Sequence, residues 1–218
     1  MASKTTLWDL PTRLIHWALV VALGVAWWSA EAERYDIHEW TGYSIIVLAV
    51  SRILWGFVGS RHSRFSDFLA SPKAVLAYLR GQGSPTPGHN PLGGWSVLAL
   101  LALLLAQGVS GLFNSDDILF SGPFYYAAPG EFRDAMGVIH EVAFNILLGF
   151  VALHILAVCY YQFLRRERVV NAMVAGWAAG KEGLEAPRPA WIALLIMLLV
   201  AGALWLGIEQ APQPRSYW

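Results

Sequence analysis

Cysteine and charge are what this sequence has least of. A single cysteine, Cys159, stands in 218 residues. It excludes a disulfide scaffold, a CxxCH attachment for c-type haem and any cysteine-rich zinc or iron–sulfur site. Charged residues make up 14% of the chain, against about 25% in an ordinary soluble domain. They are too few to cover a water-soluble globule of this size. Net charge is absent too: 15 basic and 15 acidic residues cancel, so no overall basic field invites nucleic acid. What the chain has instead is apolar: 56% of it is hydrophobic, 11 residues are Trp, and the mean hydropathy is +0.48.

Five stretches are candidates to cross a bilayer, which takes roughly 20 mainly apolar residues. They run over about 14–30, 38–58, 94–113, 137–164 and 190–208. The first is short and Trp-rich and could be mistaken for a signal peptide. No small-x-small cleavage site follows it, so it is expected to be a retained helix. Trp and Tyr crowd the segment ends (Trp8, Trp17, Trp27, Trp28, Trp40, Tyr43, Trp95, Tyr160, Tyr161, Trp191 and Trp205), as an interfacial aromatic belt would. Cys159 reads as a small buried apolar residue.

Loop charges predict the orientation. The N-terminus and the 59–93 and 165–189 loops carry eleven basic residues, whereas the other side carries only Arg34, Arg133 and Arg215. The positive-inside rule then places the N-terminus in the cytoplasm and the C-terminus outside, in the periplasm. The outer side also holds ten acids (Glu31, Glu33, Asp36, Glu39, Asp116, Asp117, Glu131, Asp134, Glu141 and Glu209), a net charge of about −7. On the inner side, Ser71-Pro72 predicts an N-capped helix with Val75, Leu76 and Leu79 on one face. A second short helix is expected from Arg168 to Ala179, ending at Gly180. Residues 81–94 read as a flexible turn.

Of six histidines, His62 and His89 fall in the inner loop and read as solvated. The other four, His16, His38, His140 and His154, lie in spanning segments, where ionisable side chains are costly and usually functional. His140 and His154 share the fourth segment. Fourteen residues at 100° each bring them within about 40° of one direction, and the rise separates them by about 21 Å. Topology gives each a partner at its own depth, His16 with His154 near the inner surface and His38 with His140 near the outer one. Zinc would want four ligands together. Two separated pairs suit the two axial positions of two haem irons. Histidines hydrogen-bonded between helices are the competing reading. A proton relay would need titratable side chains between the two levels, and the helix offers almost none.

Two further residues fit haem. Gly42 lies one turn beyond His38 on the same face, leaving room for a porphyrin edge. Arg52 lies fourteen residues beyond His38 at the inner level. It suits a haem propionate, or equally an arginine snorkelling to the interface.

The segments LWDLPTRLIHW (7–17), HEWTGYSIIVLAVSRILWGF (38–57), HNPLGGW…QGVSGLF (89–113) and the IHE…ALH pair (139–154) resemble the bacterial cytochrome b561 family, which is related to the cytochrome b subunits of nickel–iron hydrogenases and formate dehydrogenases. The likeness covers roughly residues 5–180. It implies an all-α membrane protein: a four-helix bundle over 1–180 holding two b haems on the four histidines and exchanging electrons with the quinone pool. Residues 181–218 then add a fifth, peripheral helix and a short outer tail. The expected function is electron transfer across the bacterial inner membrane, between quinone or quinol and a periplasmic c-type cytochrome or hydrogenase-type subunit. A superoxide oxidase or quinone reductase acting alone is the alternative, disfavoured by the acidic outer face, and a transporter without haem is a further one. Arg52, Trp40 and Tyr43 are candidates to flank a quinone.

Overall fold

The computed structural model describes residues 4–82, 88–116, 118, 120–179 and 186–212. Asp117, Gly180, Lys181 and Arg215, and residues 83–87 of the inner turn, lie outside the described residues. Among the described residues eight α-helices follow one another: α1 Leu10–Glu31, α2 Tyr35–Val58, α3 Phe65–Phe68, α4 Pro72–Leu79, α5 Pro91–Gly111, α6 Gly130–Cys159, α7 Val169–Ala175 and α8 Ala190–Glu209. Five of them, α1, α2, α5, α6 and α8, are long and apolar enough to cross a membrane, so the protein is a helical, multi-pass membrane protein.

The first spanning helix is longer than its apolar run predicts. Asp9 caps it, accepting from Thr12 N at 2.9 Å, and Pro11 stands in the first turn, where a missing N–H costs nothing. Its 22 residues rise about 33 Å, enough for a hydrocarbon core of about 30 Å. Asn90 caps α5 in the same way, accepting from Gly93 N at 2.6 Å. Helix α6 runs on through a π-helical turn, Tyr160–Leu164, and overshoots the core.

Helix α2 is central, packing along α1, α5 and α8, while α6 packs chiefly along α5. Helix α8 leans on α2, with Trp205 stacked on Trp40 at 6.0 Å. It stays peripheral, with Ala193 its one buried residue. The core of the bundle is apolar: Ile45 and Ala49 of α2, Leu101 and Leu104 of α5 and Leu147 of α6, continued by Phe65 and Phe68 below.

Helix α4 begins as its Ser71-Pro72 cap predicts, Ser71 accepting from Ala74 N at 3.3 Å. Its outer face, Leu76 and Leu79, is exposed, as in a helix lying on a membrane surface. Tyr78 is bonded to Tyr161, which Asn90 also reaches at 2.9 Å, so α4 is tied to the ends of α5 and α6. The helix expected over 168–179 is shorter. It stops at Ala175 because Gly176 turns left-handed, at φ 83°, and a Cβ there would come within 2.9 Å of the Arg13 guanidinium. Trp177–Ala179 then forms a strand, β2, antiparallel to β1 at Lys4–Thr6. Leu7 N and Trp8 N both donate to Gly176 O. The chain start is thereby stitched to the loop before α8.

Two more expectations are corrected. Cys159 is exposed on α6, because no described residue covers that stretch of the helix. His62 and His89 are not solvated loop residues. His62 is buried, and His89 packs against Trp8 and Phe68, with ring centroids at 4.7 and 4.6 Å. The 59–69 segment folds back under the bundle, turning His62 inward and setting Phe68 against His89. Burial, with Arg52 and the other histidines nearby, pushes the His89 imidazole down to about 3.

Candidate functional site at two histidine pairs

The four intramembrane histidines meet in two pairs. His16 of α1 faces His154 of α6 with ring centroids 6.4 Å apart. His38 of α2 faces His140 of α6 at 6.3 Å. Two metal–imidazole bonds of about 2 Å each, plus about 1.1 Å from nitrogen to ring centre, put the centroids of two axial imidazoles about 6.3 Å apart. Both pairs therefore have the spacing of bis-histidine ligation. Both also bridge helix pairs, α1–α6 and α2–α6, that are not among the closely packed ones. The histidines join faces that stand apart, which is where a flat macrocycle fits.

At the His38 end the gap is a cavity of about 460 Å³, the size range of a cofactor site. Gly42 lines it, and a Cβ there would meet nothing within 4 Å. Open space thus lies one turn from His38, where a porphyrin edge would need it. Tyr43 also lines this cavity and donates to Glu39, whereas Trp40 is taken up by α8.

The ring nitrogens facing away from the gap are held. His38 Nδ1 is 2.9 Å from Ala26 O, and a carbonyl there can only accept. Nδ1 thus carries the proton and Nε2 is left as a lone-pair donor. His140 Nδ1 lies 3.0 Å from Gln107 O and 3.2 Å from Ser110 Oγ, which imposes the same tautomer. Its Nε2 accepts from the Gln107 side-chain amide at 2.9 Å, so a metal at that nitrogen requires the amide to swing aside. Gln107 and Ser110 were not among the residues read from the sequence. Their signal was polarity inside an apolar span, the same one that marked the histidines.

The His16 end is built differently. His16 Nδ1 is buried with no hydrogen-bond partner among the described residues. Beneath the pair lies a polar cluster closed by Phe65, Phe68 and Trp8. Arg52 is buried there, its guanidinium 5.9 Å above the Phe65 ring and its Nη1 without a hydrogen-bond partner among the described residues. It does not snorkel to water, because the 59–69 segment covers it. Asp9 anchors the cluster, accepting from Trp55 Nε1 at 2.9 Å and Ser63 Oγ at 3.0 Å. Burial alone would raise its carboxyl, but hydrogen bonds from Ser60, Thr12 and Trp55 outweigh it and hold the group below its ordinary 3.8. Among the described residues no three His, Cys, Asp or Glu side chains converge as a metal cage would need.

Comparison with known proteins agrees with this architecture. The family of prokaryotic cytochrome b561 matches residues 7–176. The chain is also similar to proteins described as probable Ni/Fe-hydrogenase B-type cytochrome subunits. That of Azotobacter chroococcum mcd 1 is 25% identical, over 80% of this chain and 88% of the relative. That of Azotobacter vinelandii is 26% identical, with the same coverage. A third, from Bradyrhizobium diazoefficiens, is 25% identical over 64% of each chain. With five spanning helices and a family match across most of its length, the chain belongs to the prokaryotic cytochrome b561 family, membrane proteins that carry haem b and transfer electrons.

Proposed function

We propose that this protein carries electrons across the bacterial inner membrane through two b haems, one held by His16 and His154 and the other by His38 and His140. The observation that carries the reading is the geometry of the pairs: two imidazoles each, about 6.3–6.4 Å apart, at two levels of one helix. Bound there, haem would supply a one-electron couple at each level. The protein's part is to present a neutral Nε2 from each ring, and Ala26 O and Gln107 O enforce that at the His38 end. Held by two histidines each, the haems would serve electron transfer rather than oxygen binding. Gly42 leaves space for the ring edge, and Arg52 is the cation available to a propionate at the His16 end.

The excess of basic residues in the loops joined to the His16 end supports placing that end in the cytoplasm, with the N-terminus, and the C-terminus in the periplasm. The exchange partners are then quinone or quinol in the membrane and a periplasmic redox protein. A hydrogenase-type subunit fits the similarity to hydrogenase cytochrome subunits, and a basic c-type cytochrome fits the acidic outer face. A superoxide oxidase acting alone would need a positive outer face to gather its anion, and the carboxylates there oppose it.

The test is redox titration of paired variants. His16→Ala and His154→Ala should each remove one and the same spectral component, and His38→Ala and His140→Ala the other. If His16→Ala and His38→Ala removed the same component, the pairing would be wrong.

A further inference from the structure

We infer that the two sites are electrostatically unequal, and that Ser110, the Gln107 carbonyl and a ring of four carboxylates make the haem at the His38–His140 pair the lower-potential one. The inference rests on the proposed ligation and goes beyond it. Three differences between the ends carry it.

The first is hydrogen bonding behind the ligands. At the His38 end both rings donate from Nδ1, His38 to Ala26 O at 2.9 Å and His140 to Gln107 O at 3.0 Å, with Ser110 Oγ at 3.2 Å. Ser110 is fully buried. Its own hydroxyl proton goes to Ala106 O at 2.6 Å, so its oxygen faces the ring as an acceptor. A ring N–H that donates makes its imidazole a more basic ligand, and a more basic ligand favours the ferric state. At the other end His16 Nδ1 is buried with no such acceptor among the described residues.

The second is charge. Glu31 of α1, Glu39 of α2, Asp116 of the α5–α6 loop and Glu141 of α6 all line the His38-end cavity, and no Lys or Arg is among its described lining residues. The cations nearest in sequence are engaged elsewhere: Arg34 lies 3.6 Å from Asp36, and Arg133 lies over the Tyr125 ring at 4.2 Å. Negative charge beside an iron stabilises its more positive, oxidised form.

The third is the opposite setting at the His16 end. Arg52 is buried there, and Asp9 is the acid within its reach. His89 lies within electrostatic reach of Arg52, His62, His16 and His154. Among the described residues, a buried cation there faces Asp9, whereas the other end gathers four carboxylates.

The test is potentiometric titration of the purified holoprotein and of Ser110→Ala and Glu141→Gln, followed by the haem α-band. Both variants keep all four histidines. Each should shift the lower-potential component upward and leave the higher one in place. A shift confined to the higher component, or no shift in either variant, would overturn the inference. Haem content is read on the same samples. Two haems per wild-type chain with the wrong component moved would sink this inference alone, whereas a single haem per chain would sink the proposed ligation and the inference with it.

Discussion

The two ends of the bundle solve one problem in different ways. Each must hold two imidazoles across faces of α6 that do not pack closely along α1 or α2. The His38 end does so with an open cavity, backbone carbonyls behind the rings and carboxylates around the rim. The His16 end does so under a lid, where the 59–69 segment, Trp8 and His89 close over a buried network centred on Asp9. Charge at a membrane surface can be left to water. Charge beneath a lid must be paired or hydrogen-bonded, and Asp9, with the donors gathered around it, meets that demand.

The comparison breaks most sharply at Gly42. Gly42→Leu should fill the space that now has no neighbour within 4 Å and remove haem from the His38 end alone. Haem per chain should fall by half, with the remaining component at the potential of the His16 end. Retention of both haems would show that the macrocycle does not pass there.

A smaller loss is expected under the lid. Asp9→Ala removes the α1 cap and leaves buried donors without an acceptor, which costs about 2–4 kcal/mol. Thermal unfolding in detergent should report it. The pH dependence has a definite sign. The carboxyl is held below 3.8 when folded. Its stabilisation is therefore present above the unfolded value and lost as pH falls through the folded one. Asp9→Ala should flatten the acid limb below about pH 4.

Much of this was legible in the sequence and some was not. The five spans, the depth-matched histidine pairs and the α4 cap follow from periodicity, length and the cost of burying an imidazole in lipid. The lid does not. Asp9 meets Trp55 and Ser63, some fifty residues away, and nothing local in RHSRF announces that His62 will turn inward. Pro and Gly around His89 suggest a solvated ring, yet it packs against Trp8 and Phe68. The β1–β2 pairing joins the N-terminal residues to the loop before α8, and three-residue strands leave no periodicity to read. The early start of α1 was hidden by reading apolarity alone, when the Asp9-Leu10-Pro11-Thr12 cap was the better marker.

His89 sharpens the comparison further. Its imidazole is held neutral by burial, down to about 3 against an ordinary 6.5. The unfolded chain therefore takes up a proton below about pH 6.5 that the folded chain refuses, and stability falls as pH drops, by up to about 1.4 kcal/mol per unit. His89→Phe should keep the packing against Trp8 and Phe68 and remove that slope between pH 6 and 4. An unchanged slope would mean the ring is not the titrating group.

The smallest effect expected is at the acidic face. Reduction or oxidation by a basic c-type cytochrome should slow as ionic strength rises, because steering fades when the Debye length shrinks to about 10 Å at 0.1 M. Neutralising Glu31 and Glu33 together, or Asp116 and Asp117, should slow it at low salt. A rate indifferent to salt and to these changes would point to a permanently bound subunit.

The central claim is that each histidine pair holds one haem. Haem-to-protein stoichiometry with a reduced-minus-oxidised spectrum on the intact protein tests it most directly. Two haems per chain with a low-spin b-type spectrum are predicted. Saturation at one haem per chain, or a preparation that binds none, would contradict it.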